Sequence, residues 1–206
     1  MSARKIAPVK NNSDKYNTYQ NQIKRYNLAV KHEFHFEAML ICYAMMEDRL
    51  NSWLYYLGCR ETEKSFKFDV SVPKAKLKPL IERYLPKESK SLDIKSISVK
   101  RKIIKASLLW ANDGYPDAEN DKYYSAIWAA YQEIDIDEAL AYFAKCEDWC
   151  AYRNEVIHAL MNKNTDSLNS ELAARVIEGM EIARYFDSFV KRVKKGKSIR
   201  KSINLK

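Results

Sequence analysis

The sequence predicts an all-α fold, an up-and-down helical bundle with short helical insertions. Only 4 Gly and 5 Pro punctuate 206 residues, so few turns interrupt a chain rich in Leu, Ala, Lys, Glu and Met, which lose little freedom in a helix. In the run FEAMLICYAMMEDRLNSWLYYLG, the residues Phe36, Met39, Tyr43, Met46, Leu50, Trp53 and Leu57 recur three and four apart, which draws one apolar stripe along a helix. Leu172, Val176, Met180, Ala183, Phe186 and Val190 draw a second. Each stripe must be covered, and a 24.1 kDa chain is long enough to enclose both in a single core.

The elements follow in order. Residues 1–13 form a polar, flexible leader, and helical patterning starts near Asp14. The long striped helix stops at Gly58, a residue suited to the left-handed C-terminal cap. Residues 59–73 are mixed and end in Val72-Pro73, reading as a loop. KAKLKPLIERYLP is a short helix closed by Pro86, and SISVKRKIIKASLLWAND is another, ended by Gly114 and Pro116. The acidic connector NDGYPDAENDK leads to a helix around YYSAIWAAYQEI. Asp135 with Glu138 three positions on then marks a fresh N-terminus, and that helix runs to about Asn162. The last helix covers roughly Leu168 to Val193. The bundle thus spans 14–195, with a basic tail at 196–206.

Charge is unevenly placed. Lys191, Arg192, Lys194, Lys195, Lys197, Arg200, Lys201 and Lys206 lie in the last 16 residues without an acid and account for all but one of the +9 formal charges. Such a block fits a polyanionic partner, most simply RNA bound through Lys194, Lys195, Lys197, Arg200 and Lys201, or else a solvated end. No apolar run follows the basic start MSARKIAPVK, and no long uncharged apolar segment occurs. A cytoplasmic protein without a membrane span is expected. Cys42, Cys59, Cys146 and Cys150 form no C-x-x-C pair and read as reduced thiols.

The segment YRNEVIHAL breaks the pattern of its own helix. There Phe143, Cys146, Trp149, Cys150, Val156, Ile157 and Leu160 define an apolar arc, and Arg153 falls near its middle. An unpaired buried guanidinium is costly, so a partner is expected. Glu47, set among Leu40, Tyr43, Leu50, Leu54 and Leu57 in the earlier helix, is the candidate. Asn154 and His158 are four apart and share a face. Histidine exchanges protons near neutrality, and a guanidinium grips phosphate oxygens as a fork. With an amide beside them, these groups suit cleavage of an RNA phosphodiester by its own 2′-hydroxyl, which needs proton transfer and charge stabilisation without a metal or cofactor.

Arg153-Asn154-Glu155-Val156-Ile157-His158 resembles the R-N-x-x-x-H motif of HEPN domains, the all-helical higher-eukaryote and prokaryote nucleotide-binding family. The resemblance implies a metal-independent ribonuclease of toxin–antitoxin or abortive-infection type, with Arg153 and His158 catalytic and Asn154 the polar residue that follows the arginine. It also implies a homodimer with two motifs facing one cleft, and an antitoxin or other defence-system protein as a further partner. Two rivals stand beside it: a HEPN-like module that binds RNA or nucleotide without cleaving, and a helical protein-interaction scaffold.

Other polar residues read more plainly. His32 and His35 have metal-pair spacing but no completing cluster, so cap or surface roles are expected. Cys146 and Cys150, one turn apart on the apolar arc, read as core. Asp113, Asp117, Glu119 and Asp121 read as a solvated loop, and Tyr43, Tyr142 and Tyr152 as core or interface residues with a polar tip.

Overall fold

The computed structural model describes residues 12–60, 71–88, 92–115, 120–159, 166–195 and 199–205, and in these it is all-helical. The helices are α1 (Asn12–Lys31), α2 (His35–Tyr56), α3 (Ser71–Tyr84), α4 (Ile97–Asn112), α5 (Lys122–Tyr131), α6 (Ile136–Ala159), α7 (Asp166–Lys195) and α8 (Ile199–Ser202). The expected leader, apart from residues 12 and 13, lies outside the described residues, as do 61–70, Leu160 and Asn162.

Four long helices make the bundle, and cross-contacts fix their directions. α1 runs antiparallel to α2: the Tyr19 hydroxyl donates to the Met45 carbonyl at 3.4 Å, and Lys15 reaches Ser52 at 3.5 Å. α7 runs parallel to α2, since the Cys42 thiol donates to the Val176 carbonyl at 3.6 Å, Arg49 pairs with Asp187 at 2.8 Å, and Trp53 stacks on Phe189 at 5.5 Å. α6 opposes both: Phe143 meets Trp53 at 5.7 Å and Phe186 at 5.1 Å. The two stripes read from the sequence are the two faces that meet. Met39, Met46, Leu50, Trp53 and Leu57 of the first and all six residues of the second are buried. Each Val, Leu, Phe or Met side chain among them contributes about 1.5–3 kcal/mol when fully removed from water.

Two glycines set close geometry. Gly58 has φ +74°, and its N–H donates to Tyr55 O while Cys59 N–H donates to Leu54 O, both at 2.9 Å. That double bond pattern closes α2 with a left-handed residue, which costs glycine nothing. Gly179 lets α7 backbone approach α6: a Cβ there would lie 2.7 Å from the Trp149 ring, whose indole N–H donates to Arg175 O at 2.7 Å.

α3, α4 and α5 are inserted between α2 and α6. α3 begins at Ser71, earlier than the expected loop boundary, with Pro73 buried in its first turn. Proline is tolerated there because the N–H it lacks would have no intrahelical partner. The Tyr123 hydroxyl donates to Leu57 O at 2.8 Å and Tyr131 meets Trp53 edge-on, so α5 seals the end of α2. At α6, Glu138 N–H donates to Asp135 Oδ1 at 2.9 Å, the cap expected from the sequence.

The basic tail, read as a polyanion-binding block or else a solvated end, is packed over part of its length. Residues 199–205 fold back onto the C-terminal end of α2. Ile199 is buried, and Arg200 Nη1 donates to Tyr55 O at 3.1 Å and Arg60 O at 2.9 Å, with its guanidinium over the Tyr55 ring. Two apolar residues, Ile199 and Ile203, turn a solvated charge block into a docking segment.

Candidate functional site

α6 is placed by Phe143, Cys146, Trp149, Cys150, Val156 and Ala159, all buried against the core. Counting around the helix from these residues puts Arg153 and Ile157 at the margin rather than the centre of the arc, and both are half-buried. Asn154 and His158 stand fully on the exposed side.

Arg153 therefore has one foot in the core. Its guanidinium carbon lies over the Tyr43 ring of α2, 4.3 Å from the centroid, and Nη1 donates to Asn154 Oδ1 at 3.0 Å. Its Nε is buried with no hydrogen-bond partner. The stacking fits arginine, which is weakly hydrated and planar. Burial raises the Tyr43 pKa, with the Glu47 charge adding to it and Arg153 opposing.

The expected Arg153–Glu47 pair is a correction. Glu47 Oε1 lies 2.5 Å from Lys100 Nζ of α4. Lys100 has a side chain only 1% exposed, whereas Glu47 is 31% exposed and sits at the edge of its helix stripe. The more deeply buried cation takes the carboxylate.

α4 brings more charge to the same place. Arg101 is buried and donates from Nη1 to Cys146 O at 3.0 Å, with its Nε unpartnered. Lys105 pairs with Glu147 at 2.9 Å. Tyr43, Lys100 and Arg101 were missed as site residues. The signal for Arg101 was present, since Ile97, Ile104 and Leu108 flank it at helical spacing as apolar residues flank Arg153.

The remaining candidates are dispersed. Lys194 is exposed with its ammonium 5.9 Å from the Tyr56 ring, and Lys201 is exposed. Arg200 is committed to the two carbonyls named above. The side chain of Lys195, and Lys197, lie outside the described residues. His32 stacks beside Phe34, and His35 opens α2. All four cysteines are buried. Asp113 binds Arg83 and Tyr84, Asp121 caps α5 and pairs with Lys76, and Asp117 and Glu119 lie outside the described residues. Tyr142 stacks on Tyr185 at 3.4 Å, and Arg175 lies over Tyr152. Among the described residues no three His, Cys, Asp or Glu side chains gather as metal ligands, and no helix is long and apolar enough to cross a membrane.

Comparison with family models, curated proteins and solved structures gives no match.

Proposed function

We propose that the chain is a HEPN-like, metal-independent endoribonuclease that cleaves RNA by 2′-hydroxyl attack, leaving 2′,3′-cyclic phosphate and 5′-hydroxyl ends. The observation that carries this reading is the state of Arg153. Its guanidinium is oriented from two sides by Tyr43 and Asn154 and keeps a free Nε–H, while His158 stands one turn beyond Asn154 on the exposed face. Arg153 would stabilise the phosphorane, His158 would move the proton, and Asn154 would hold the guanidinium in place.

Asn154 and His158 lie on an outward helix face, so a cleft needs a second wall. A second copy of the chain supplies it in this reading, which fits exposed Leu40, one turn before Tyr43 on α2. Lys194 and Lys201 would meet RNA phosphates. A role in phage defence or with an antitoxin belongs to the same proposal.

The stacking of Arg153 on Tyr43 also favours a second reading, a non-catalytic RNA- or nucleotide-binding or protein-interaction module in which the arginine serves packing. Incubation of the purified protein with labelled single-stranded RNA in EDTA separates the two. The enzyme reading expects cyclic-phosphate products and a loss of about 10² or more in rate for His158→Ala. Full activity in folded His158→Ala removes the site, and RNA binding without turnover selects the second reading.

A further inference from the structure

α6 and α7 meet through two tyrosines as well as through their core residues. Tyr142 and Tyr185 stack face to face, with centroids 3.4 Å apart and ring planes 10° from parallel. Aromatic pairs ordinarily settle offset or edge-on, with about 4.5–7 Å between centroids. Two other tyrosine pairs keep that spacing: Tyr55 meets Tyr56 edge-on at 5.4 Å, and Tyr123 meets Tyr124 tilted at 6.2 Å.

Both rings of the close pair are held in place. Lys145 sets its ammonium 4.6 Å from the Tyr142 centroid, and the Tyr142 hydroxyl donates to Glu181 Oε1 at 2.8 Å. Buried Phe189, itself stacked on Trp53, packs edge-on against Tyr185 at 4.5 Å. Tyr142 and Tyr185 are each half-buried, so the pair reaches solvent at the margin of the contact between α6 and α7. Unbonded carbons approach best at about 3.5–4.0 Å, so the two rings already touch. Phenoxyl radicals formed on them need no diffusion to meet.

We propose that Tyr142 and Tyr185 are a modification site, a pair that a peroxidase with hydrogen peroxide oxidises to an intrachain dityrosine joining α6 to α7. Each phenol loses one electron and one proton. The two radicals form a bond between ring carbons adjacent to the hydroxyl-bearing carbons. The hydrogen on each newly bonded carbon then moves to its oxygen, which restores both aromatic rings and both hydroxyls. One hydrogen peroxide takes up the two electrons and two protons and leaves as two waters. The Glu181 carboxylate is the acceptor for the Tyr142 proton. Its bond, with burial adding, pushes the Tyr142 phenol up to about 12, so electron and proton leave together from a neutral phenol. The product restricts the unfolded chain as a disulfide does. It uses no residue of the candidate ribonuclease site and does not rest on that reading.

The test treats the dilute full chain with a haem peroxidase and a small excess of hydrogen peroxide. Dityrosine fluorescence is read in the single-chain band, and linked peptides are mapped by mass spectrometry. The expected product is one linked pair carrying Tyr142 and Tyr185, two hydrogens lighter than the separate peptides, in a chain with a raised thermal midpoint. Tyr142→Phe and Tyr185→Phe keep the rings and lose the link, and Glu181→Gln forms it several-fold more slowly. An unchanged rate in Glu181→Gln overturns the proton transfer. Linkage at Tyr55–Tyr56 or Tyr123–Tyr124 instead, or fluorescence confined to chains joined through Tyr16, which is 64% exposed, overturns the proposal. So does a native chain that stays unlinked while free tyrosine in the same mixture dimerises.

Discussion

Lys100, with a side chain 1% exposed, holds its ammonium 2.5 Å from the Glu47 carboxylate across the contact between α4 and α2. Removing the carboxylate alone strands a charge in the core, whereas removing the lysine leaves a carboxylate that still reaches water. Glu47→Leu should therefore lower stability by about 3–5 kcal/mol. Lys100→Met should cost less, and the double variant should recover most of the Glu47→Leu loss. Urea unfolding of the three variants checks this, and equal losses for the two single variants would show that the pair is not asymmetric.

The same pair marks where sequence reading stops. Periodicity orders residues around one helix, so the stripes of α2 and α7, the Gly58 stop and the Asp135 cap were legible, each depending on residues close in the chain. Which helix lies opposite Glu47 is a property of packing between segments 53 residues apart, and no local pattern encodes it. Arg153 was placed a little too deep because Val156 and Ala159, not Ile157, set the buried side of α6. The docking of 199–205 was hidden for another reason: its charges are conspicuous, while its two isoleucines are too few to draw a stripe.

Truncation after residue 198 removes Ile199, Ile203 and both Arg200 hydrogen bonds. An apparent loss of about 2 kcal/mol or more is expected from these together, read as a lower thermal midpoint. Gly58→Ala attacks the same junction from the other side, because the added Cβ would meet Ile203 Cδ1 at 2.6 Å and sit at φ +74°. Combined with the truncation, Gly58→Ala should keep only its backbone strain and cost less than it does in the full chain.

Gly179→Ala should be among the more damaging single substitutions outside the candidate site. Its methyl would fall 2.7 Å from three atoms of the Trp149 indole, a rigid neighbour anchored by its bond to Arg175 O. Overpacking of this kind costs about 1–3 kcal/mol. A larger side chain with no change in unfolding midpoint would mean that α6 and α7 separate freely.

Asp121 gives a pH-dependent contribution. Burial works against its charge, but the hydrogen bond from Lys76 and the N–H groups of Tyr124 and Tyr123 outweigh it, so its pKa is lowered on folding. A depressed carboxylate stabilises the folded state fully above its unfolded pKa, about 3.9, and loses that contribution as pH falls through the folded value. Asp121→Asn keeps a cap acceptor but not the charge. Its deficit relative to the parent chain should be constant near neutrality and shrink below about pH 4. Parallel thermal scans at several pH values test this, and a deficit that widens on acidification would reverse the assignment.

The parallel contact of α2 with α7 joins Cys42 to Val176 across 134 positions of chain. During synthesis at about 5–20 residues per second, α2 emerges roughly seven to twenty-seven seconds before the surface that covers Met39, Met46 and Trp53 exists. Until α6 emerges late in that interval, α1, antiparallel and adjacent in sequence, is the only one of the other three long helices available to shield it. The nascent chain thus presents a methionine- and tryptophan-lined face to the ribosome's surroundings, and its yield in cells depends on what holds that face until α6 and α7 arrive.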